Sequence, residues 1–132
     1  MSPRKIPWWP LAVAAAALGV LVYAAIPRAA PDPSVLKGQW RREGEAYLLH
    51  VEEVRPDGTA SVKYFNPKAI RVGEARTKRE GGTLEMRVEL QDENYPGCTY
   101  TLAYDPRADA LQGNYYQAAQ GQTYRVRFLR EK

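Results

Sequence analysis

The chain has 132 residues, one histidine, one cysteine and a net charge of +4. That length suits one domain. A single cysteine excludes an internal disulfide, and one Cys with one His excludes the nitrogen-and-sulfur ligand set of an ordinary zinc site. The positive charge belongs largely to the start of the chain, since without Arg4 and Lys5 only 17 basic residues face 15 acidic ones. The tightest basic group, Arg76, Lys78 and Arg79, runs straight into Glu80 and has no interleaved aromatics, so it reads as a solvated strand end. No nucleic-acid partner is expected.

From Ile6 to Ile26 the chain carries 21 residues without a charge. A helix of that length spans roughly 30 Å, about one hydrocarbon core. Trp8 and Trp9 fall where an interfacial aromatic belt would lie, and Tyr23 sits near the other end. Residues 1–26 are therefore expected to form an uncleaved signal-anchor, a single transmembrane helix with membrane contact through residues 6–26. A cleaved export signal cut after Ala24 is the alternative. No cysteine follows the apolar run directly, unlike the usual lipoprotein pattern. Arg4 and Lys5 favour a cytoplasmic amino terminus, against a weaker pull from Arg28, Lys37, Arg41 and Arg42. The expected location is the cell membrane, single-pass, with the C-terminal domain extracytoplasmic. Ala14, Ala15 and Gly19 would also permit close helix packing, as a subunit of a membrane complex needs.

Residues 27–35 hold three prolines in PRAAPDPS and read as a short, stiff linker. From residue 36 to 132 nearly every segment carries strand signals. The clearest is TLEMRVELQ, where Leu84, Met86, Val88 and Leu90 alternate with Glu85, Arg87 and Glu89. That period of two marks a strand dry on one face and wet on the other. Strands are predicted at 38–42, 46–54, 59–65, 69–79, 83–91, 98–104, 110–117 and 123–130. Pro56-Asp57-Gly58, Gly81-Gly82 and Asp105-Pro106 supply turn chemistry between them. Short connections favour neighbouring antiparallel strands. The expected fold is all-β, an up-and-down meander of seven to eight strands closing into a small barrel, with a seven-stranded sandwich as the alternative. Gly73, inside the long fourth strand, is a candidate bulge.

Gly38-Gln39-Trp40 opening the first strand of a meander resembles the calycin pattern of lipocalins and avidins. Leu111-Gln112-Gly113-Asn114-Tyr115 is similar to the Gly-x-Tyr strand of avidin-type barrels. The resemblance covers two short motifs and implies a small barrel; no avidin biotin set can be placed on this chain. YFNPKAI and YPGCTYTLAYD also look like blocks of small bacterial membrane-anchored envelope proteins, a likeness that implies no particular activity.

Few residues could do chemistry. His50 is predicted on the outward face between Leu49 and Val51, without a nucleophile to serve. Asp92 with Glu93, and Asp105 with Asp109, lack the regular spacing of a calcium loop and read as turn residues. Cys98 falls in phase with Tyr100, Leu102 and Tyr104 and reads as a small buried hydrophobe, with a thiol bridging two copies as the alternative. No catalytic residue, metal or cofactor is assigned, and the chain is not expected to be an enzyme. The informative feature is aromatic. Strand phase points Trp40, Tyr47, Tyr64, Tyr100, Tyr104, Tyr115 and Tyr124 inward, and each buried tyrosine needs a hydroxyl partner. Either the rings bridge the core with hydroxyls at a rim, or they wall a cavity for a small apolar ligand.

A meander also sorts its loops by end. PDG, EGG and DPRAD lie at one compact end, where the linker enters. Glu43–Glu45, Asn66–Lys68, Asp92–Gly97 and Ala118–Gln122 lie at the other. Binding concentrates on loops, so Asn66, Asn94, Tyr95, Gln120 and Gln122 are the partner-binding candidates. The expected function is a non-catalytic membrane-tethered envelope module that binds a protein partner or a small apolar ligand through its loops or barrel cavity. The alternatives are a structural subunit of a membrane complex and an enzyme using cavity tyrosines or carboxylates.

Overall fold

The alternation in TLEMRVEL becomes a strand with Leu84, Met86, Val88 and Leu90 at most 1% exposed, while Arg87 between them faces water. A computed structural model describes residues 29–132 and carries the same logic through the chain. After a 3₁₀ turn at Pro33–Leu36 come nine strands. They are β1 (Gly38–Arg42), β2 (Leu48–Val54), β3 (Ala60–Phe65), β4 (Ala69–Ile70), β5 (Val72–Glu80), β6 (Thr83–Leu90), β7 (Thr99–Asp105), β8 (Ala110–Gln117) and β9 (Gln122–Arg130). The architecture is an all-β antiparallel meander in a nearly closed barrel, with the strand order β4-β3-β2-β1-β9-β8-β7-β6-β5. The apolar run 6–26, expected to be a transmembrane helix, lies outside the described residues. Among the described residues no helix is long and apolar enough to cross a membrane.

The two ends of the barrel chain, β1 and β9, pair directly through Trp40↔Arg130, Arg41↔Leu129 and Arg42↔Phe128. The seam lies instead within the segment expected as a single fourth strand. β4 pairs with β3 and β5 pairs with β6, and the chain changes partner at Arg71. The expected bulge is there: the β5–β6 register shifts between Val72 and Glu74, around Gly73. Beyond the bulge the seam is stitched only near the compact end. Thr59 bridges to Arg76, and the Thr77 amide donates to the Gly58 carbonyl at 2.6 Å. Between β5 and β6 the loop is two residues, Gly81 and Gly82, at φ +57° and +83°. Two successive positive φ angles make the hairpin turn whose twist matches the strands, and glycine adopts them at no steric cost.

The described part of the Pro-rich segment runs into the 3₁₀ turn at Pro33–Leu36. Asp32 caps the 3₁₀ turn, its Oδ1 accepting from the Ser34 amide at 2.8 Å. Pro33 opens the turn, where its missing N–H costs nothing. Leu36 is fully buried, and its carbonyl accepts from Trp40 Nε1 at 2.9 Å. Arg130 then covers the plug. Its guanidinium carbon stands 4.2 Å from the Trp40 ring centroid. Its nitrogens donate to the carbonyls of Val35 and Lys37 at 2.7 and 2.8 Å and to Asp109 at 2.7 and 3.1 Å. Asp109, at φ +50° in a region where Asp is tolerated, also accepts from the Tyr104 hydroxyl at 2.9 Å. The compact end is therefore sealed by a cation spread over an indole ring and tied to the chain on either side of it.

Gly113 shows how tightly the sheet is drawn. A Cβ there would lie 2.0 Å from the Thr101 carbonyl oxygen and 3.1 Å from the Leu102 Cα, both backbone atoms of β7. Gly113→Ala is expected to destabilise the barrel by about 1–3 kcal/mol or more, the cost of overpacking. Urea unfolding followed by tryptophan fluorescence measures this, and an unchanged midpoint would contradict the close approach.

Candidate functional site

The seven inward aromatics predicted from strand phase separate into three groups by height along the barrel. Trp40 and Tyr104 meet edge to face, at 6.1 Å between centroids, within the seal of the compact end. They wall no cavity. Tyr64 and Tyr100 are fully buried, and Tyr115 is nearly so. Their rings stack with Phe128 in one cluster: Tyr100 lies 5.4 Å from Tyr64, 4.6 Å from Tyr115 and 5.3 Å from Phe128. Tyr47 is half-buried against the same cluster. Tyr124 lies opposite Tyr115 across β8–β9, on the inward phase, but is not enclosed. It is 41% exposed, and its hydroxyl lies 2.9 and 2.6 Å from the Gln120 and Gln122 side-chain oxygens. It shares the phase of Val126 and Phe128, but β9 has by then risen past the rim, so its inward direction meets solvent.

The buried hydroxyls form a short polar column toward the loop end. Tyr64 and Tyr100 share a hydrogen bond of 2.8 Å. Asn66 Nδ2 reaches the Tyr64 hydroxyl at a long 3.5 Å. Arg42 Nη1 donates to the Tyr100 hydroxyl at 3.3 Å. The Arg42 guanidinium carbon lies 5.4 Å from the Tyr47 ring centroid and 5.8 Å from that of Tyr115. Burial pushes the Tyr64 and Tyr115 hydroxyls well above the ordinary tyrosine range, with Tyr100 adding to the rise at Tyr64 and Cys98 to that at Tyr115. Burial also raises Tyr100, against the opposing pull of Tyr64 and Arg42. At neutral pH these groups are neutral hydrogen bonders, and Arg42 supplies the charge at the mouth.

Sequence reasoning missed Arg42 as a site residue, although the signal was present. It stands two residues after Trp40, so the period of two turns it inward. The partner-binding candidates surround this mouth without converging on one point. Asn66 joins the hydroxyl column and Tyr95 packs partly buried against the core. Asn94 is exposed, its amide donating to Asp92 Oδ1 at 3.1 Å. Gln120 and Gln122 accept from the Tyr124 hydroxyl at the rim. Cys98 is fully buried, with its sulfur 3.5 Å from the Gln117 side-chain oxygen. His50 lies half-buried in β2, between Gln39 of β1 and Lys63 of β3. Asp92 accepts from the Arg71 and Asn94 amides, and Asp105 from the Arg107 and Ala108 amides and the Gln112 side chain. Among the described residues no three His, Cys, Asp or Glu side chains come together.

No family model, curated protein or solved structure matches the chain.

The raised tyrosines carry a stability signature. A hydroxyl whose folded pKa lies above its unfolded value stabilises the fold fully below pH about 10. That contribution disappears as pH climbs through the folded pKa. Phenolate absorbance at 295 nm should show Tyr64, Tyr100 and Tyr115 resisting ionisation until the near-ultraviolet circular dichroism of the barrel is lost. A single transition near pH 10 with the dichroism intact would refute the burial of these hydroxyls.

Proposed function

We propose that the chain is a non-catalytic, membrane-tethered envelope module that presents the loop end of its barrel to a partner protein. The observation that carries this reading is the filled core. Where a ligand would sit, Tyr64, Tyr100 and Phe128 are fully buried and in ring contact. A barrel filled by its own side chains binds at its loops instead. Aromatic and amide groups gather at that end: Asn66 between β3 and β4, Asn94 and Tyr95 between β6 and β7, Gln120 between β8 and β9, and Gln122 and Tyr124 at the start of β9.

The tether is the apolar run 6–26, and two features support its direction. Arg79 donates to the Ala30 carbonyl at 2.6 Å and Leu36 plugs the compact end, so the chain enters the barrel there. A membrane on that side leaves the loop end facing away from the bilayer, in the extracytoplasmic space. Tyrosines held neutral by burial make poor bases at neutral pH, which supports a binding role over a catalytic one.

A photo-crosslinking residue placed in native membranes tests this reading, at position 95 or 120 on the loop end and at 107 on the compact end. The expected outcome is one protein adduct from 95 and 120 and none from 107, with the chain kept in the membrane after carbonate washing. Equal labelling from both ends, or release by carbonate, would overturn the proposal.

A further inference from the structure

We infer that Arg42 is the anchor of a carboxylate-binding site in the barrel mouth, and that a carboxylate carried by the partner protein docks there. This rests on the loop end being the contact surface. Its own argument is the contrast between the two arginines of the barrel ends.

Arg130 is nearly saturated. Four hydrogen bonds, two of them to the Asp109 carboxylate, occupy its fork, and Trp40 occupies one face. Arg42 also lies near aromatic rings, 5.4 Å from the Tyr47 centroid and 5.8 Å from that of Tyr115, but makes one side-chain hydrogen bond, to the Tyr100 hydroxyl. Among the described residues no carboxylate lies within 4.0 Å of it. The carboxylate beside it in sequence, Glu43, is turned to the outer face, where it accepts from Arg127 Nη1 at 2.9 Å. A guanidinium has five N–H donors in one plane. With one donor spent on Tyr100, the remaining donors are left for a planar carboxylate, which a guanidinium takes bidentately.

The site is also held in place before any ligand arrives. The Arg42 backbone amide donates to the Tyr47 carbonyl at 2.9 Å, Arg42 pairs with Phe128 across β1–β9, and Tyr100 is locked by Tyr64. A guanidinium ordered in this way loses less freedom on binding than a free surface arginine. The half-buried mouth weakens competition from water, and the Tyr47 and Tyr115 rings offer apolar contact beside the charge. The favoured ligand is therefore a monoanionic carboxylate next to an aromatic or aliphatic group.

The test uses the full-length chain in mild detergent, with the Arg42 Nε–Hε resonance followed by NMR. Benzoate is the probe and benzamide its neutral counterpart. Benzoate should shift Arg42 saturably at millimolar concentration, and benzamide should bind about tenfold or more weakly, as the loss of a charge-assisted hydrogen bond implies. Equal shifts from the two, or no saturation with benzoate, would overturn the inference. Arg42→Gln should abolish the tyrosine-ring shifts caused by benzoate, and Arg42→Lys should recover only part of them; binding retained by a folded Arg42→Gln also overturns it. If Arg42→Gln fails to fold, the benzoate–benzamide comparison on the unaltered chain still decides. Two peptides separate the sources of carboxylate. Acetyl-Gly-Phe with a free C-terminus tests a chain end, acetyl-Glu-Phe-amide tests a side chain, and saturable binding of either supports the site. Crosslinking from position 95 in Arg42→Gln separates this inference from the reading beneath it. An adduct at undiminished yield removes the carboxylate site and leaves the contact surface; a severalfold loss of yield supports both.

Discussion

The barrel depends on the contact between Arg130 and Trp40. These residues face each other across β1 and β9, the strands that join the two ends of the domain. A guanidinium against an indole is attractive, and the planar group still has its edge free for hydrogen bonds. Arg130 uses that edge to hold Val35 and Lys37 from before the first strand and Asp109 from the β7–β8 turn. One side chain therefore draws together the plug, the first and last strands, and a remote turn. Its charge is compensated by Asp109, whose carboxyl the Arg130 hydrogen bond holds below the usual range. With β1 and β9 joined, the weak seam of the sheet falls elsewhere, at β4–β5, where the backbone already breaks at the Gly73 bulge.

Sealing one end leaves the polar demands of the core to the other. Tyr64 and Tyr100 are too large and too buried for water to serve them freely, and they satisfy each other. The column they form leads outward to Asn66 and Arg42. The two ends are thus chemically unlike although each carries an inward arginine: one guanidinium spends four of its five donors, the other sits near two rings with one hydrogen bond made. That asymmetry gives the molecule one end tied shut by a paired cation and another whose cation has no carboxylate among the described residues.

Much of this was legible in the chain. The β1 and β8 boundaries, 38–42 and 110–117, match the predicted strands, and most others shift by one or two residues. Alternation in TLEMRVEL and the two-glycine turn are local signals, so they survive into the fold. The fourth strand, expected as one piece, is two, because partner exchange at Arg71 depends on where β3 and β6 lie. The Pro-rich segment was expected as a spacer. The plug is made just after it, by Leu36, which finds a pocket only when the sheet curls. For the site, phase put Tyr64, Tyr100 and Tyr115 in the core, said nothing of the height that leaves Tyr124 at the rim, and passed over Arg42.

By itself the sequence determined which residues are strand, which turn, and which face of each strand is dry, since these follow from a two-residue period and from Gly, Pro and Asp at the turns. Only the tertiary structure decided how high along the barrel each inward side chain sits. Height separates Tyr100, buried to 0% exposure, from Tyr124, 41% exposed on the same kind of strand phase. It also decided which arginine found a counter-ion. Asp109 lies 21 residues before Arg130, and the hydroxyl that receives Arg42 lies 58 residues after it. Periodicity reports a face; partners that far apart are chosen by closure of the sheet.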